Sequence, residues 1–428
     1  MTLSSTSTKS RVAEILKRRV VVTGLGVVSS LGTTLADTWE GLLAGRSGAG
    51  PIQRFDPSSL DVRFACEVKG FDSRQYMDRK EAKRADLFAQ YAIAATVQAL
   101  QDAGLDGTLP NPERTGVIVG SGIGGIETFE EQCRISITKG PSRVSPFFVP
   151  MFIPDIAAGL ISIRWGAKGP NYCTVSACAS SAHAIGESLR LIQGGTVDMM
   201  ITGGAEAAVT LLAMAGFQNM KALSMRNDEP ERASRPFDRD RDGFVMGDGA
   251  GIVVLESLES AQDRGAPILA EVLGYGMSAD AHHMTQPAPD GGGARCAMEA
   301  CLEDGGLTPA DVGYINAHGT STPHGDVAEV RAVRGLFGDH ADKIVMGSTK
   351  SMTGHLLGAT GGLEFSVCVR VLRTGIIPPT INQENPDPEC DVDCAPNVKV
   401  ERDVELALSN SFGFGGHNVT LAVGRYSE

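Results

Sequence analysis

The sequence lacks most of the features that would tie a protein to a membrane, to nucleic acid or to an oxidising compartment. No apolar run among the 428 residues reaches the ~18 residues that cross a bilayer. Basic residues are few, because 38 Lys and Arg stand against 51 Asp and Glu, and the net charge of -13 argues against a nucleic-acid binder. The nine cysteines are irregularly spaced, without the paired spacing of a metal site, so reduced thiols are expected.

Glycine, by contrast, is abundant. Its 52 residues occur in short clusters, which predict tight turns and close backbone approaches rather than disorder. A chain of 428 residues exceeds the usual size of one hydrophobic core, so two domains or a duplicated fold are expected. We place the boundary near residue 266, between an N-terminal half over 19–266 and a C-terminal half over 267–428. Residues 1–18, rich in Ser and Thr, are predicted to be a disordered leader or the remnant of a transit peptide.

A β-branched run, a Gly-rich turn and a helical stretch recur along the chain. The runs lie at 20–23, 116–119, 198–202 and 344–348, and helices are predicted over 85–100 and 356–372. This alternation predicts an α/β fold with buried, largely parallel sheets. Residues 24–29 nearly match a dinucleotide fingerprint, but Ser29 replaces the third glycine and no acid ends a second strand. A tight strand-to-helix turn is therefore favoured there over a nucleotide site.

Cys178 lies where a strand-like run ending at Ser176 meets a helix of small residues. A helix start carries unpaired N–H groups and a partial positive charge, which favour thiolate over thiol. The position is similar to the strained nucleophile turn of hydrolases. The alternative is a small buried core residue, as Cys173 is expected to be. Cys178 alone does not decide between the two, so the other polar motifs must.

Two histidines, a lysine and a glutamate stand in the C-terminal half. His318 follows a short strand, and His355 precedes a helix; neutral imidazoles in such places can donate hydrogen bonds to a developing thioester enolate. Glu364 lies in an otherwise apolar helix, and a buried carboxylate needs a partner, for which Lys350 is the candidate. The glycines around Phe414 could present a backbone N–H as half of an oxyanion hole, or form a Gly-rich β-turn with buried aromatics.

Ordered motifs cover nearly the whole chain, from Arg19 to Arg425. They are residues 21–26 (Val-Val-Thr-Gly-Leu-Gly), 145–150 (Ser-Pro-Phe-Phe-Val-Pro), Cys178, 234–238 (Ser-Arg-Pro-Phe-Asp), 242–244 (Asp-Gly-Phe), 280–285 (Asp-Ala-His-His-Met-Thr), 318–322 (His-Gly-Thr-Ser-Thr), 350–355 (Lys-Ser-Met-Thr-Gly-His) and 412–416 (Phe-Gly-Phe-Gly-Gly). Together they resemble the β-ketoacyl-[acyl-carrier-protein] synthases, most closely the synthase II type. The resemblance implies a thiolase-like fold of two similar α/β halves in five α-β-α-β-α layers, a homodimer, and neither cofactor nor catalytic metal.

The resemblance also implies a role for each site residue. Cys178 would take the acyl group from an acyl carrier protein, with the amides of Cys178 and Phe414 as oxyanion hole and the Phe414 side chain as a gate. His318 and His355 would assist decarboxylation of the malonyl thioester, supported by Lys350 and Glu364. The further substrate contacts would be Thr320 and Thr322 at the phosphopantetheine, Ile123 in the acyl tunnel, and Thr285, Phe412 and Gly415.

A docking surface for the carrier protein is also expected. The carrier is acidic and so is this chain, so a local basic patch is required. The candidates are Arg79, Lys80, Lys83 and Arg84, with Arg143 and Lys221 as further possibilities; the alternative is a merely solvated helix face. His417 stands where bacterial members often have threonine, which leaves the lineage open. The location would be the cytoplasm in a bacterium, and the plastid or mitochondrial matrix in a eukaryote.

Other functions remain to be separated from this one. A related polyketide-type ketosynthase would carry the same motifs. A biosynthetic thiolase would need a second catalytic cysteine late in the chain, which the Phe414 loop lacks, and a type III synthase would have Asn at His355. A chain-length-factor-like subunit would lack the nucleophile, and a dinucleotide oxidoreductase would bind a nicotinamide cofactor.

Overall fold

The computed structural model describes residues 17–427. Its strands are β1 (Val20–Val28), β2 (Gly50–Pro51), β3 (Phe64–Ala65), β4 (Thr115–Gly120), β5 (Asn171–Tyr172), β6 (Met199–Glu206), β7 (Gly249–Ser257), β8 (Ala270–Ala279), β9 (Tyr314–Asn316), β10 (Val345–Gly347), β11 (Ile376–Ile377), β12 (Val400–Glu401), β13 (Leu406–Gly413) and β14 (His417–Gly424). The predicted leader over 1–18 lies outside the described residues, except for Lys17 and Arg18.

The helices of the described residues alternate with these strands. They are α1 (Leu35–Leu43), α2 (Arg79–Ala82), α3 (Leu87–Asp102), α4 (Ile126–Lys139), α5 (Phe148–Phe152), α6 (Ile156–Trp165), α7 (Ser180–Gln193), α8 (Leu211–Asn219), α9 (Leu258–Asp263), α10 (Gly292–Gly305), α11 (Pro323–Phe337), α12 (Lys350–Thr353) and α13 (Thr360–Thr374). In the described part of the chain, no helix has the length and apolar composition needed to cross a membrane.

One ten-stranded sheet contains two copies of the same strand pattern. Its order is β10-β9-β13-β14-β8-β1-β7-β6-β4-β5. The β8–β1 contact divides the sheet into two halves of five strands, and the strands of each half are arranged in the same way from this contact to the outer edge. In each half the two inner pairings are antiparallel and the two outer ones parallel. The prediction of largely parallel sheets was therefore only half right. The halves join through the short ladder between 20–22 and 270–272.

Helices cover both halves of the sheet and fill the space between them. The outer helices α3 and α6 pack on β1, β4, β6 and β7, whereas α10 and α11 cover the C-terminal half. Between the halves, α7 and α13 pack against each other and against strands of both, in the largest apolar cluster. The expected α-β-α-β-α order of five layers in two similar halves is confirmed.

Two glycine pairs that the sequence placed in turns lie inside strands. Gly24 and Gly26 belong to β1, and Gly203 and Gly204 belong to β6. A Cβ on Gly24 would come within 2.0 Å of the carbonyl oxygen of Ala99, because α3 packs directly on this backbone. The predicted strand-to-helix turn is therefore wrong, and with it the site that a dinucleotide phosphate would need at residues 24–29.

Candidate active site

Cys178 lies on a 3₁₀ turn, Ala177–Ala179, immediately before the first residue of α7. The turn is anchored by the buried face of α7, whose members are Ala182, Ile185, Leu189 and Ile192. Burial raises the pKa of the Cys178 thiol to about 12, although the charge of Lys350 and the backbone N–H of Phe414 act in the opposite direction. The helix-start position is as expected, but burial outweighs its effect. The sulfur is therefore a thiol at neutral pH and must pass on its proton before it attacks.

His355 is the neighbour that can take this proton. Its Nε2 lies 2.9 Å from Sγ of Cys178, and its Nδ1 lies 3.0 Å from Oγ1 of Thr360. Its backbone N–H donates to the carbonyl of Val245, which fixes the loop before α13. Burial, reinforced by the charge of Lys350, lowers the pKa of His355 well below its usual value. The ring is therefore neutral and can accept a proton or donate one N–H.

His318 completes the group from the end of β9. The rings of His318 and His355 are 5.4 Å apart between centroids, and one nitrogen of each lies with Sγ of Cys178 in a group within 4.8 Å. The backbone N–H groups of His318 and Gly319 each donate to Glu329, at 2.9 Å. Burial, with smaller contributions from Lys350 and His355, lowers the pKa of His318 well below its usual value. The structure thus brings together one thiol and two neutral imidazoles.

Lys350 and Glu364 form the ion pair that the sequence suggested. Nζ of Lys350 donates to Oε1 of Glu364 at 2.5 Å, and the two side chains are 1% and 0% exposed. Burial raises the pKa of Glu364 to about 7, against the opposing charge of Lys350. The same charge adds to the effect of burial in lowering the pKa of both histidines, and it partly offsets the rise that burial causes in the pKa of Cys178. The pair therefore places the Lys350 ammonium, balanced by the Glu364 carboxylate, close to the thiol and the imidazoles.

The Phe414 segment is a hairpin turn between β13 and β14 that lies against the cysteine. Gly413 pairs with His417 across the turn. A Cβ on Gly413 would come within 2.7 Å of the carbonyl of Ser176 and 3.1 Å of the amide nitrogen of Cys178, so only glycine permits this contact. The segment is a glycine-rich turn, as the alternative interpretation expected, but Phe412 and Phe414 are half-buried rather than buried. The same turn directs the N–H of Phe414 at the sulfur.

A cavity of about 230 Å³ opens onto these side chains. Cys178, His318, His355 and the expected gate residue Phe414 line it. Four of the six expected substrate contacts also line it: Thr285, Thr320, Thr322 and Phe412. Gly415 is outside the lining and donates its N–H to the carbonyl of Met284. Ile123 is also outside the lining and packs in the apolar cluster that contains Cys178.

The six basic candidates for carrier docking are exposed: Arg79, Lys80, Lys83, Arg84, Arg143 and Lys221. The first two belong to the short helix α2, and Asp78 caps that helix with its side chain. Lys221 lines the cavity. The guanidinium of Arg84 lies 4.5 Å from the ring centre of Phe147, so part of its surface is covered by a cation–π contact.

Three residues that shape the site were not predicted from the sequence. Thr360 contacts the second nitrogen of His355, and Glu329 holds the His318 loop. Glu206, the last residue of β6, binds the N–H groups of Gly122 and Ile123. A signal was available for Glu206, a carboxylate in the largely apolar strand β6, which is the same pattern that pointed to Glu364. Glu329 gave no such signal, because α11 contains several other charged residues.

A thiolate with two imidazoles is also a ligand set that zinc accepts. In a tetrahedral zinc site, sulfur and nitrogen ligands lie roughly 3.5 Å apart, given the usual bond lengths. The 2.9 Å between Sγ of Cys178 and Nε2 of His355 is shorter and matches a hydrogen bond. The geometry therefore fits proton transfer better than metal ligation.

Comparison with known proteins agrees with this arrangement of residues. Residues 17–261 match the family model described as "Beta-ketoacyl synthase, N-terminal domain", and residues 269–384 match that of the C-terminal domain. The chain belongs to the β-ketoacyl synthase family. A relative from Synechocystis sp., "3-oxoacyl-[acyl-carrier-protein] synthase 2", is 56% identical over 97% of this chain and all of its own length.

Solved structures of other ketosynthases share the fold of this β-ketoacyl synthase. The ishigamide ketosynthase/chain length factor superposes with a TM-score of 0.90 at 37% identity, covering 96% of this chain and 100% of that one. A type II polyketide ketosynthase, solved in complex with its acyl-carrier protein, gives a TM-score of 0.87 at 33% identity with the same coverage. Both exceed 0.8 in TM-score, so the thiolase-like fold extends over nearly the whole chain.

Proposed function

We propose that this β-ketoacyl synthase is a 3-oxoacyl-[acyl-carrier-protein] synthase of the synthase II type, which lengthens fatty acyl chains by two carbons. The observation that carries the proposal is the 2.9 Å contact between Sγ of Cys178 and Nε2 of His355, beside His318 and open to a cavity. The name of the Synechocystis relative supports it.

The first half-reaction loads the cysteine. Sγ of Cys178 attacks the carbonyl carbon of an acyl thioester on the carrier, and the thiol proton passes to the neutral ring of His355. The amides of Cys178 and Phe414 donate hydrogen bonds to the developing oxyanion. The carbon–sulfur bond to the carrier then breaks, and the carrier thiol leaves with the proton. Cys178 now holds the acyl chain as a thioester.

The second half-reaction forms the carbon–carbon bond. The malonyl thioester loses CO₂, and the electron pair of the broken bond forms an enolate whose oxygen accepts hydrogen bonds from His318 and His355. The enolate carbon attacks the acyl carbonyl on Cys178. The bond to sulfur breaks, its electron pair returns to the cysteine, and the resulting thiolate takes up a proton from water to restore the thiol. The lowered pKa of both histidines matters here, because neutral imidazoles stabilise the enolate without protonating it early.

These steps balance without an oxidant, a reductant or a metal, so neither a cofactor nor a metal is part of the proposal. Both acyl groups arrive on the phosphopantetheine of the carrier protein. Thr320 and Thr322, whose hydroxyls lie 3.0 Å apart in the cavity lining, are the proposed contacts for its amide groups. The side chains of Thr285, Phe412 and Phe414 line the same cavity.

Carrier docking requires a basic surface on a chain of net charge -13. We assign this surface to Lys80, Lys83 and Arg84. Arg79, Arg143 and Lys221 are proposed as further contacts for the carrier protein. Their exposure supports this assignment, and Lys221 reaches the cavity itself. The polyketide ketosynthase solved with its acyl-carrier protein is a precedent for such a complex in another protein.

A second copy of the chain is the proposed partner at the free edge of the sheet. Among residues 17–427, β5 ends the ten-stranded sheet and pairs with β4 alone. Large apolar side chains are exposed beside it, with Tyr172 at 38%, Val175 at 58% and Ile163 at 78%. An exposed strand edge flanked by apolar side chains is a surface that a homodimer would cover. The halves over 19–266 and 267–428 are proposed as the two units of each subunit.

A reconstituted reaction tests the activity. Purified protein is mixed with acyl-carrier and malonyl-carrier protein, and the products are identified by mass. We expect one β-ketoacyl product, two carbons longer, and one CO₂ per turnover. Repeated additions without reduction of the ketone would instead indicate the polyketide-type alternative. Absence of any condensation would overturn the proposed function.

A further inference from the structure

Glu206 is a fully buried carboxylate at the end of β6 that the reaction steps above do not use. Its Oε1 accepts hydrogen bonds from the hydroxyl of Ser121 at 2.9 Å and the N–H of Ile123 at 3.1 Å. Its Oε2 accepts from the N–H groups of Gly122 at 2.6 Å and Gly358 at 3.0 Å. These four bonds use the full acceptor capacity of a carboxylate.

The donors to Glu206 are all neutral, and within residues 17–427 no salt bridge involves it. Burial raises its pKa to about 7, while the hydrogen bonds from Gly122, Ser121, Ile123 and Gly358 lower it. A buried carboxylate without a cation is costly, and a costly group retained in a packed core is explained best by what it holds in place.

Glu206 joins two segments that belong to different halves of the sheet. One is the loop after β4 that contains Ile123, and the other is the turn before α13 that contains Leu357 and Gly358. The two backbones touch, because a Cβ on Gly358 would come within 2.2 Å of the amide nitrogen of Gly122. Both Ile123 and Leu357 pack in the apolar cluster that contains Cys178. Leu357 also lines the cavity, so an acyl chain attached to the sulfur would lie against this cluster.

We propose that Glu206 is a positioning residue that sets the acyl chain-length preference by holding Ile123 and Leu357 in place beside Cys178. The inference rests on the proposed function, since it concerns the acyl chain that Cys178 carries. Glu206 touches neither thioester; it acts through the backbone of the two segments. Its loss therefore changes which chains fit more than it changes the condensation step.

The test compares chain lengths in one assay. In Glu206→Gln the side-chain NH₂ faces backbone N–H groups, so two of the four donors lose their acceptor. We expect the ratio of kcat/KM between the best and the worst of a series of acyl-carrier substrates, from six to sixteen carbons, to fall about tenfold. Ser121→Ala removes a single donor and leaves the carboxylate, so a smaller change, about threefold, is expected in the same direction. This second variant keeps the test decisive if Glu206→Gln does not fold.

Glu256→Gln is the matched control. Glu256 is equally buried but lies at the other end of the β6–β7 ladder, opposite Met199, where it pairs with Arg264. This variant should lower the melting temperature without changing the chain-length ratio. Equal losses for all chain lengths in Glu206→Gln and Ser121→Ala would overturn the inference and leave Glu206 a stabilising residue only. Wild-type protein that condenses no substrate would instead overturn the proposed function.

Discussion

The turn that carries Cys178 and the turn that contains Gly358 occupy equivalent places in the two halves of the sheet. Each follows the outermost strand of its half, β5 or β10, and each leads into a central helix, α7 or α13. Each begins with a non-glycine residue of positive φ, 51° at Ala177 and 47° at Leu357, and continues as a short 3₁₀ turn. The next residue is Cys178 in one turn and glycine in the other.

The two turns share a backbone conformation and differ in the side chain at their second position. In the N-terminal half the second residue of the turn presents a sulfur to the cavity. In the C-terminal half the same place has no room for a side chain, because Gly122 and the carboxylate of Glu206 lie within 2.2 and 2.7 Å of a Cβ on Gly358. That half supplies His318 and His355 instead. The repeated backbone therefore provides two positions of the same shape, and only the side chain makes one of them the proposed nucleophile.

Removing the sulfur from the first turn should have the largest effect on activity, because the two turns then both lack a nucleophile. Cys178→Ala leaves the turn and α7 intact but deletes the only proposed nucleophile, so condensation should fall by on the order of 10⁴-fold or more. Intact-protein mass spectrometry after incubation with acyl-carrier protein should show no added acyl group. Cys173→Ala, at a half-buried cysteine five residues earlier, is the control and should still be acylated. Acylation of the Cys178→Ala protein would refute the assignment.

The contribution of the C-terminal half is tested by its histidines. His318→Asn and His355→Asn remove ring donors that the enolate needs, so decarboxylation of malonyl-carrier protein should slow by about 10²–10³-fold. The readout is formation of acetyl-carrier protein, followed by mass. His340→Asn is the control, because its ring contacts the carbonyl of Val312, away from the cavity lining. Decarboxylation at the wild-type rate in both site variants would contradict the division of roles.

Giving the second turn a side chain tests whether its glycine is obligatory. Gly358→Ala places a Cβ against the backbone of Gly122 and the carboxylate of Glu206. Neither neighbour can move away easily, because one is backbone and the other is held by four hydrogen bonds. The free energy of unfolding should fall by about 2–4 kcal/mol, measured by denaturant titration. Gly216→Ala in α8, where no atom lies within 4 Å of the added Cβ, should change stability by less than about 1 kcal/mol and in the stabilising direction. Equal stability in the two variants would show that the close contact is dispensable.

Two features of its environment act on the pKa of the Cys178 thiol in opposite directions: the helix start lowers it and burial raises it. The pH dependence of its reactivity shows which of the two is stronger. Burial raises its pKa to about 12, so below that value the reactive thiolate fraction rises with pH. Alkylation of Cys178 by iodoacetamide should therefore speed up by about tenfold per pH unit between roughly pH 6 and 9, without a plateau. Peptide mass mapping gives the rate at each cysteine. A plateau near neutral pH would show that the helix start controls the thiol after all.

The sequence was most informative where the chemistry is local. A carboxylate in an apolar helix pointed to Glu364 and its pairing with Lys350, and strand ends pointed to His318. It failed where the answer depends on packing between distant segments. Gly24 and Gly26 face α3 rather than forming a turn, and this contact involves residues about 70 positions away.

The burial of Cys178 and the four bonds of Glu206 belong to the same class of tertiary effects. Neither can be inferred from neighbouring residues, since the groups that surround the thiol come from both halves of the chain. The hydrogen-bonding capacity of Glu206 is equally hidden, because its donors lie about 80 and 150 positions away along the chain. Sequence patterns thus find the reactive residues better than they find the groups that hold them.

The two halves are also proposed to differ at the surface, because all six proposed contacts for the carrier protein lie in the N-terminal half. Charge reversal at Lys80 and Lys83 should raise KM for acyl-carrier substrates by about tenfold at low salt, and leave KM for free thioesters within about twofold, since only the carrier brings an acidic surface. Lys399→Glu, an exposed lysine of the C-terminal half, is the matched control and should leave both values unchanged. The effect of the double reversal should shrink as salt is added, because exposed charges are screened within about 10 Å at 0.1 M. Equal increases for carrier-bound and free thioesters would place the carrier elsewhere, and the N-terminal half would then supply the nucleophile without the docking surface.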